Sequence, residues 1–358
     1  MRRFFVKWLG ILSIMLIQCL PTDACTYFFL KAKDGGVVSG RSMEFYSNLD
    51  AKIDVVPGGT SFETSAPEGA KAVNWKSKYG FIAVSHFGRR VYSDGLNEKG
   101  LAAGALWFAD VQFPRVEPGD EVVDAIDLVA WILSNFETVE EVKNGLTKVK
   151  IAAHVDKDLK MMPPLHHYVT DTEGNSLVLE CIDGQLKILD NPKNGVMTNE
   201  PNLGWHLENL RFYSNLKPFD VPVPALKDDK WSLGSGMVGL PGDYSAASRF
   251  VKISMLKFFA EQPKDSDGAV NLALHLLNVV DIPYGPQLWI VGQTGNVQWT
   301  SWIVVYDQAN RRFYYRTYDN QNLRRIDLKE INLKPGAQYR SVDLFGGQSY
   351  IEDTQRLR

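Results

Sequence analysis

Hydrophobic and polar residues alternate along this chain in blocks that predict strands, then helices, then strands again. Short β-prone runs bounded by Gly, Asn and Asp predict strands; these are residues 26–30, 37–41, 53–56, 81–85, 101–107, 167–170, 176–182, 186–189, 299–306 and 312–318. Apolar residues at helical spacing predict helices; these are residues 127–133, a helix that begins at Thr138, and residues 205–216, 246–262 and 269–280. Residues 93–100 are predicted to form a turn. These blocks predict one α+β domain, with sheets packed on each other and helices outside.

The first 24 residues have the pattern of a cleaved secretory signal. A basic start leads into an apolar run over residues 8–17, and small or polar residues follow as far as Ala24. This run of about ten residues is shorter than the roughly 20 needed to span a bilayer, which argues against an uncleaved anchor. The pattern predicts a periplasmic or secreted protein in which residues 25–358 form a single catalytic domain. A lipid-bearing Cys19 is the alternative, although Gln18 is a poor residue just before such a cysteine.

Cleavage after Ala24 would make Cys25 the first residue of the mature protein. An N-terminal cysteine carries a thiol nucleophile and a free α-amine, whose ordinary pKa of about 7.7 to 8 suits a base that acts on its own thiol. The predicted hairpin that begins at residue 26 would hold this terminus rigid. The alternatives are an incidental cysteine and a disulfide to Cys181, which would consume the thiol. Cys181 lies in an apolar strand-like run, which favours a small buried hydrophobic residue.

Composition and charge narrow the classes of partner. The chain has 45% hydrophobic and 23% charged residues, which is typical of a soluble globular protein, and a net charge of -3. Without the signal the charge becomes about -5 and no basic block is present, so no nucleic acid partner is predicted. No stretch after the signal is apolar enough to span a membrane, so no stable membrane association is expected after processing. The six histidines lack metal-ligand spacing, and we expect no metal and no other cofactor.

Six segments in a fixed order resemble a known family. They are Cys25-Thr26 and residues 41–45 (RSMEF), 94–101 (DGLNEKGL), 196–201 (VMTNEP), 240–250 (LPGDYSAASRF) and 314–320 (YYRTYDN). Together with a cysteine that follows a signal, they resemble the choloylglycine hydrolase family of N-terminal nucleophile hydrolases, which includes penicillin V acylases and conjugated bile salt hydrolases. The resemblance implies a four-layer αββα fold, in which two stacked antiparallel sheets lie between helix layers. It also implies hydrolysis of linear amides.

The resemblance assigns catalytic roles to five residues. Cys25 would attack the amide carbonyl and form a thioester, while its α-amine takes the thiol proton and protonates the leaving amine. Asn199 fits an oxyanion donor, because its side-chain NH₂ can hydrogen-bond the developing negative charge. Arg41 and Arg249 fit cations placed near the thiol. Glu44 stands where the family usually has aspartate, and it would bond the α-amine or Arg41 with one more methylene.

Trp107 and Phe45 are the predicted substrate-binding residues. They would form a flat apolar wall for a phenoxyacetyl group or an acyl chain, as the resemblance to a secreted branch associated with penicillin V and N-acyl homoserine lactones implies. Ordinary core packing is the other explanation of both rings.

Three further expectations concern substrate and assembly. Bile salt hydrolases have asparagine at the position of Trp107, so a small-molecule acyl amide is the expected substrate and a conjugated bile salt hydrolase is the alternative. A non-catalytic exported ligand-binding protein on the same fold is the alternative from another class. Family members are often homotetramers, and residues 205–216 could serve such an interface.

Overall fold

The structure is a computed structural model that describes residues 24–220, 222–223, 225, 232–291 and 294–357. The predicted signal as far as residue 23, with Cys19, lies outside the described residues. None of the helices in the described ranges has the length and apolar character that a bilayer crossing requires.

The first large sheet contains the predicted N-terminal hairpin. Its strands within the described residues are β1 (Thr26–Lys31), β2 (Val37–Phe45), β15 (Val196–Met197), β16 (Gln287–Val291), β17 (Thr294–Asp307), β18 (Arg312–Thr317) and β19 (Asn320–Asp327). Their order is β15-β1-β2-β17-β18-β19, with β16 paired to β17, and every pair is antiparallel. The hairpin of β1 and β2 therefore lies inside the sheet with a neighbouring strand on each side.

The second large sheet is also antiparallel. Its strands within the described residues are β3 (Lys52–Val56), β7 (Phe81–His86), β8 (Val91–Asn97), β9 (Ala102–Trp107), β12 (Leu165–Thr170), β13 (Ser176–Ile182), β14 (Gln185–Asp190) and β20 (Arg340–Asp343). Their order is β14-β13-β12-β9-β8-β7-β3-β20. Two smaller sheets are formed by β4 (Ser61–Phe62) with β6 (Trp75–Lys76), and by β5 (Lys71–Ala72), β10 (Glu121–Asp124) and β11 (Lys150–Ala152).

Helices cover the outer faces of the two large sheets. The α-helices are α1 (Leu128–Asn135), α2 (Val139–Leu146), α3 (Leu203–Asn209), α4 (Ala246–Phe259) and α5 (Ser266–Asn278), and short 3₁₀ turns lie at Leu210–Tyr213, Ser235–Met237, Leu328–Glu330 and Thr354–Leu357. Helices α4 and α5 pack on the first sheet, and α1 packs on the second. One hydrophobic core joins the two sheets with α4 and α5, and another joins the second sheet with α1 and α2. The predicted αββα sandwich is therefore confirmed.

Strand β7 shows why these sheets are built from nearly continuous apolar runs. Ile82 and Val84 lie in the core between the sheets, whereas Phe81 and Ala83 lie in the core beneath α1. Successive side chains of a strand point to opposite faces, and here both faces are covered. The predicted strands accordingly agree with the structure to within a few residues. The predicted start of α2 is also confirmed, because Thr138 Oγ1 accepts a hydrogen bond from Glu141 N at 3.2 Å.

The predicted turn at residues 93–100 is wrong over most of its length. Residues Val91–Asn97 form β8 and are buried. Asp94 and Gly95 are turn residues by composition, but here Asp94 is buried beside Arg41. At Gly95 a Cβ would lie 2.5 Å from the Ile82 carbonyl oxygen and 2.7 Å from Leu133 Cδ1. Glycine therefore allows α1 to pack closely on the sheet, which is a tertiary requirement with no local signal.

The predicted helix at residues 205–216 is shorter and begins earlier. Helix α3 starts at Leu203, after the side chain of Asn202 accepts a hydrogen bond from Trp205 N at 3.0 Å. It ends at Asn209 and continues as a 3₁₀ turn as far as Tyr213. The predictions also omit nine strands of the described residues: β4, β5, β6, β10, β11, β15, β16, β19 and β20. The first seven are only two to five residues long, and charged residues interrupt the alternation in β19 and β20.

Candidate active site

The thiol of Cys25 lies at the start of the central hairpin. Cys25 directly precedes β1, and the β1–β2 register pairs Thr26 with Ser42, so Cys25 lies beside Met43. Cys25 Sγ is 3.7 Å from Met43 Sδ and 3.8 Å from Arg41 Nη2. Because strand side chains alternate, Arg41 and Met43 share the face of β2 that carries the thiol. The structure thus brings the predicted nucleophile and one predicted cation together.

Cys181 is remote from this thiol. It is buried in β13, in the core beneath α1, and forms no disulfide with Cys25. Burial raises the pKa of the Cys181 thiol to about 12. Cys181 is therefore the small buried hydrophobic residue that its apolar run predicts.

Arg41 is held by an ion pair that crosses the space between the two sheets. Arg41 Nη1 lies 3.0 Å from Asp94 Oδ2, and neither side chain has any exposed surface. Ser93 Oγ donates to Asp94 Oδ2 at 2.8 Å, and the Tyr306 hydroxyl donates to Asp94 Oδ1. Burial alone would lower the pKa of Arg41, but the surrounding acidic groups, Asp94 first and then Cys25, Tyr168 and Tyr306, together hold the pKa above its usual value. The guanidinium beside the thiol is therefore permanently charged.

Arg249, near the start of α4, approaches Cys25 from the other face of the hairpin. Its Nη1 donates to the Cys25 carbonyl oxygen and, at 2.7 Å, to Thr26 Oγ1. Its Nε donates to the Tyr244 carbonyl oxygen at 2.9 Å. Arg249 therefore positions the backbone of Cys25, whereas Arg41 contacts the sulfur.

Asn199 is oriented by two fixed partners. Its Oδ1 accepts a hydrogen bond from Arg249 Nη2 at 2.7 Å, and its Nδ2 donates to the Trp107 carbonyl oxygen at 2.8 Å. Because Arg249 can only donate, this network sets which amide atom is oxygen. A further residue, His206, lies behind it: its Nε2 is 3.0 Å from the Asn199 carbonyl oxygen and must carry the proton. Burial lowers the pKa of His206 to about 4, so the ring is neutral near pH 7.

Glu44 does not bond Arg41, so that expected partner is wrong. The two residues lie three apart on β2, and an odd spacing puts their side chains on opposite faces. Glu44 instead accepts from Thr300 Oγ1 at 2.7 Å and from Ser42 Oγ at 3.1 Å. Burial raises the pKa of Glu44 to about 7, although the Arg249 guanidinium opposes this shift. Glu44 therefore lies on the face of the hairpin that Arg249 approaches.

A pocket lies beside the thiol, with about 600 Å³ of empty space that includes its opening to solvent. Cys25 and Arg41 line part of it, and the other residues that line it are mostly apolar or aromatic: Met43, Phe45, Leu49, His86, Phe87, Val91, Tyr92, Ser93, Ala105, Trp107, Ile126, Leu159, Pro163 and Leu165. A cleft with a reactive group and an apolar lining is the usual form of a small-molecule site. The pocket suits an apolar acyl group whose carbonyl carbon lies next to the sulfur.

Phe45 and Trp107 meet in this pocket, as predicted, but with a different geometry. Their ring centroids are 6.4 Å apart and their planes are inclined by 57°. The two rings therefore form a corner of the pocket, not a flat wall. The reason is that Phe45 ends β2 in one sheet while Trp107 ends β9 in the other.

Three residues of the site were not predicted from the sequence: His86, Asp94 and His206. The sequence did point to Asp94, because it begins the segment 94–101, one of the six segments that resemble the family. A signal also existed for His86, because it occupies an inward position after Ile82 and Val84 in the apolar run of β7. His206 had none, since its bond to Asn199 depends on the packing of α3. Among the described residues, no three His, Cys, Asp or Glu side chains lie close enough to hold a metal ion.

Comparison with known proteins agrees with this geometry. Residues 25–346 match the family described as linear amide C-N hydrolases, choloylglycine hydrolase family. The chain is 31% identical over 320 residues to the bile salt hydrolase/transferase of Clostridium perfringens. The aligned region covers 86% of this chain and 94% of that protein. It is 29% identical over 341 residues to the penicillin V acylase of Pectobacterium atrosepticum, covering 89% and 84% of the two chains.

A solved structure extends the match to three dimensions. The mutant conjugated bile acid hydrolase from Clostridium perfringens aligns with a TM-score of 0.79 and 27% identity, over 92% of this chain and 99% of that one. The matched sequence range begins at Cys25 and contains every predicted site residue. This chain therefore belongs to the choloylglycine hydrolase family of linear amide C-N hydrolases.

Proposed function

We propose that this chain is an exported acylase that hydrolyses acyl amides of the penicillin V or N-acyl homoserine lactone type through Cys25. The observation that carries the proposal is the pocket that Cys25 and Arg41 share with Phe45 and Trp107. A thiol beside a permanent cation is suited to attack a carbonyl, and the aromatic corner is suited to hold a phenoxy group or an acyl chain.

The proposed reaction begins with attack of Cys25 Sγ on the amide carbonyl carbon. The α-amine of the processed Cys25 takes the thiol proton, and the Arg41 guanidinium stabilises negative charge on the sulfur. The C–N bond then breaks, the α-ammonium protonates the leaving nitrogen, and a thioester remains on Cys25. In the second half the α-amine takes a proton from water, and the hydroxide attacks the thioester carbonyl carbon. The C–S bond then breaks, the α-ammonium returns its proton to the sulfur, and the carboxylic acid product leaves.

Asn199 is the proposed oxyanion donor. Its amide is already fixed by Arg249 and by the Trp107 carbonyl oxygen, so a second Nδ2–H can serve the substrate oxygen without reorganisation. His206 would act as a positioning residue, because it holds the backbone carbonyl of Asn199.

Glu44 is the proposed partner of the α-amine. The β1–β2 register pairs Thr26 with Ser42, and continuing it by two residues brings Glu44 opposite Ala24. The nitrogen that signal cleavage would free on Cys25 belongs to this part of the hairpin. A carboxylate there can accept a hydrogen bond from the amine and orient it toward the thiol.

A second candidate function is the hydrolysis of conjugated bile salts. The similarity to the bile salt hydrolase/transferase and the conjugated bile acid hydrolase of Clostridium perfringens supports it. The apolar pocket suits a steroid as well as an acyl chain, and the 29% identity to a penicillin V acylase does not separate the two activities. Trp107 favours the acylase, because bile salt hydrolases have asparagine at this position.

The first test is amine release by the processed protein from penicillin V, a long-chain N-acyl homoserine lactone and glycocholate. We expect turnover of one or both of the first two, and a loss of at least about 1,000-fold in Cys25→Ala, because that variant lacks the nucleophile. Cys181→Ala is the matched control, since it removes a buried thiol outside the site, and it should keep the activity. Turnover of glycocholate alone would establish the bile salt activity instead.

The same assay tests the role of the free terminus. We propose export and cleavage after Ala24, so the intact mass of the mature protein should correspond to a chain that begins at Cys25. A protein that begins Met-Ala before Cys25 should be inactive, because its cysteine nitrogen is an amide and cannot act as a base. Full turnover by that protein would overturn the mechanism.

Trp107→Asn tests the aromatic corner. We expect kcat/KM for long-chain or phenoxyacetyl substrates to fall by roughly tenfold or more, because a large apolar contact is lost. Labelling of Cys25 by iodoacetamide should change much less, since the thiol keeps Arg41 and Met43 as neighbours. An equal loss in both measurements would mean that the substitution only damages the fold.

The charge of Glu44 can be tested through stability. A carboxyl whose folded pKa is raised from 4.5 to about 7 favours the folded state below pH 4.5, and this contribution is lost as pH rises through about 7. We therefore expect Glu44→Gln to gain stability relative to wild type between pH 5 and 8, by roughly 3 kcal/mol, as measured by urea denaturation. Amide release should nevertheless fall at pH 8, because glutamine lacks the carboxylate proposed to orient the α-amine. A pH-independent difference in stability would contradict the raised pKa.

We also propose that copies of this chain associate through α3 and the segment that follows it. Large apolar side chains are exposed there, among them Trp205, Phe212 and Phe219. Light scattering should give a mass near that of a tetramer, and Phe212→Ser should lower it, because water then solvates the contact. Tyr350→Ser, which changes an equally exposed aromatic residue elsewhere, should leave the mass unchanged. A monomeric wild-type protein would contradict the proposal.

A further inference from the structure

His86 is a polar side chain in a mostly apolar pocket. It ends β7 at the inward position that follows Ile82 and Val84, and it lines the same pocket as Cys25. Its ring is 5.9 Å from that of Trp302 and 6.2 Å from that of Phe87. An apolar side chain could make the same packing contacts here, so packing alone does not explain the imidazole.

Neither nitrogen of this ring has a hydrogen-bond partner within the described chain. His86 is 6% exposed, and both Nδ1 and Nε2 are buried and unpaired. The other three buried histidines differ, because each has a partner for one ring nitrogen. His206 Nε2 bonds the Asn199 carbonyl, His167 Nε2 bonds the Ala125 carbonyl at 2.9 Å, and His166 Nδ1 lies 3.3 Å from Glu180 Oε1. A buried polar group without a partner costs stability, and such groups concentrate at functional sites.

The charge state of His86 defines what it can bind. Burial, together with the Arg41 and Arg89 guanidiniums, lowers the pKa of His86 to about 3. The ring is therefore neutral at physiological pH, with one N–H donor and one acceptor nitrogen. Such a ring does not select an anion, but it can donate to a keto or ether oxygen, or donate to and accept from a hydroxyl.

The backbone beside His86 is held in an uncommon conformation. Phe87 has a φ of 58°, in the left-handed region that non-glycine residues rarely adopt, and Gly88 follows with a φ of 64°. Phe87 also lines the pocket. The turn therefore places Phe87 beside the cavity directly after His86. Such a strained backbone persists only where the surrounding structure fixes it.

We propose that the acyl group of the substrate carries an oxygen on its otherwise apolar body, and that His86 is the specificity-determining residue that hydrogen-bonds it. The proposal rests on the acylase function proposed above and narrows its substrate class to oxygenated acyl amides, with a hydroxyl, keto or ether oxygen. The torsion of a histidine ring about χ2 is broad, so a modest rotation can turn either nitrogen toward a ligand.

The test measures binding to the processed protein with Cys25→Ala, so that it does not depend on turnover. Calorimetry compares ligands that differ in one oxygen: 3-hydroxydodecanoyl and 3-oxododecanoyl homoserine lactone against the dodecanoyl compound, and penicillin V against its analogue in which a methylene replaces the ether oxygen. We expect at least one oxygenated ligand to bind roughly tenfold or more tightly than its partner, because the other ligand leaves the imidazole unpaired.

Two variants of His86 complete the test. His86→Leu should bring the ratio of the two Kd values near one, whereas His86→Gln, which keeps a donor and an acceptor, should retain part of the preference. Leu159→Ala is the control within the same pocket, and it should weaken both members of a pair alike. Each ratio is taken within one protein, so a variant with a smaller folded fraction still reports it.

Three results would overturn the proposal. The first is equal or tighter binding of the oxygen-free ligand in every pair, and the second is no binding of any ligand. The third is an unchanged preference in His86→Leu. Failure of the acylase function is separately visible, because wild-type protein would then bind an oxygenated ligand with the expected preference and release no amine from it.

Discussion

The site depends on one buried ion pair that joins the two sheets. Arg41 extends from β2 in the first sheet and Asp94 from β8 in the second, and neither is reached by solvent. Each charge loses several kcal/mol of hydration on burial, which only a close partner and additional hydrogen bonds can offset. Ser93 and Tyr306 supply those bonds to Asp94. Removing either charge would strand the other at a cost of about 3–5 kcal/mol, so the spacing of the sheets beside the thiol is strongly constrained.

The second constraint comes from the opposite face of the same hairpin. Arg249 bonds the Cys25 carbonyl and Thr26 there, and it also fixes the Asn199 amide. The hairpin is therefore clamped between two buried guanidiniums with separate tasks. One lies beside the sulfur, and the other aligns the backbone and the neighbouring amide. A pre-aligned group needs little reorganisation when charge develops during a reaction, which is the main way in which such sites accelerate chemistry.

Local patterns predicted most of the elements, because strand alternation and the cap at Thr138 depend only on near neighbours. The motif segments also led to Cys25, Arg41, Asn199 and Arg249, which the structure brings together. Apart from the short strands and the charged strands β19 and β20, the failures involve long-range contacts. Asp94 and Gly95 are typical turn residues by composition, and only their contacts with Arg41 and α1 show that they belong to a buried strand. The partner of Glu44 depends on which face of β2 it occupies, and the unpaired ring of His86 becomes visible only when the surrounding pocket is known.

The bonds of Arg249 also have a consequence for the order of folding. This single side chain contacts the Cys25 carbonyl, which is 224 residues away along the chain, and Asn199, which is 50 residues away. Contacts between such distant residues form late, because a long segment must first lose its freedom. A partly folded chain would thus contain Cys25 without the Asn199 amide aligned beside it. The site could act only after the last third of the chain, which contains Arg249, has packed on the hairpin.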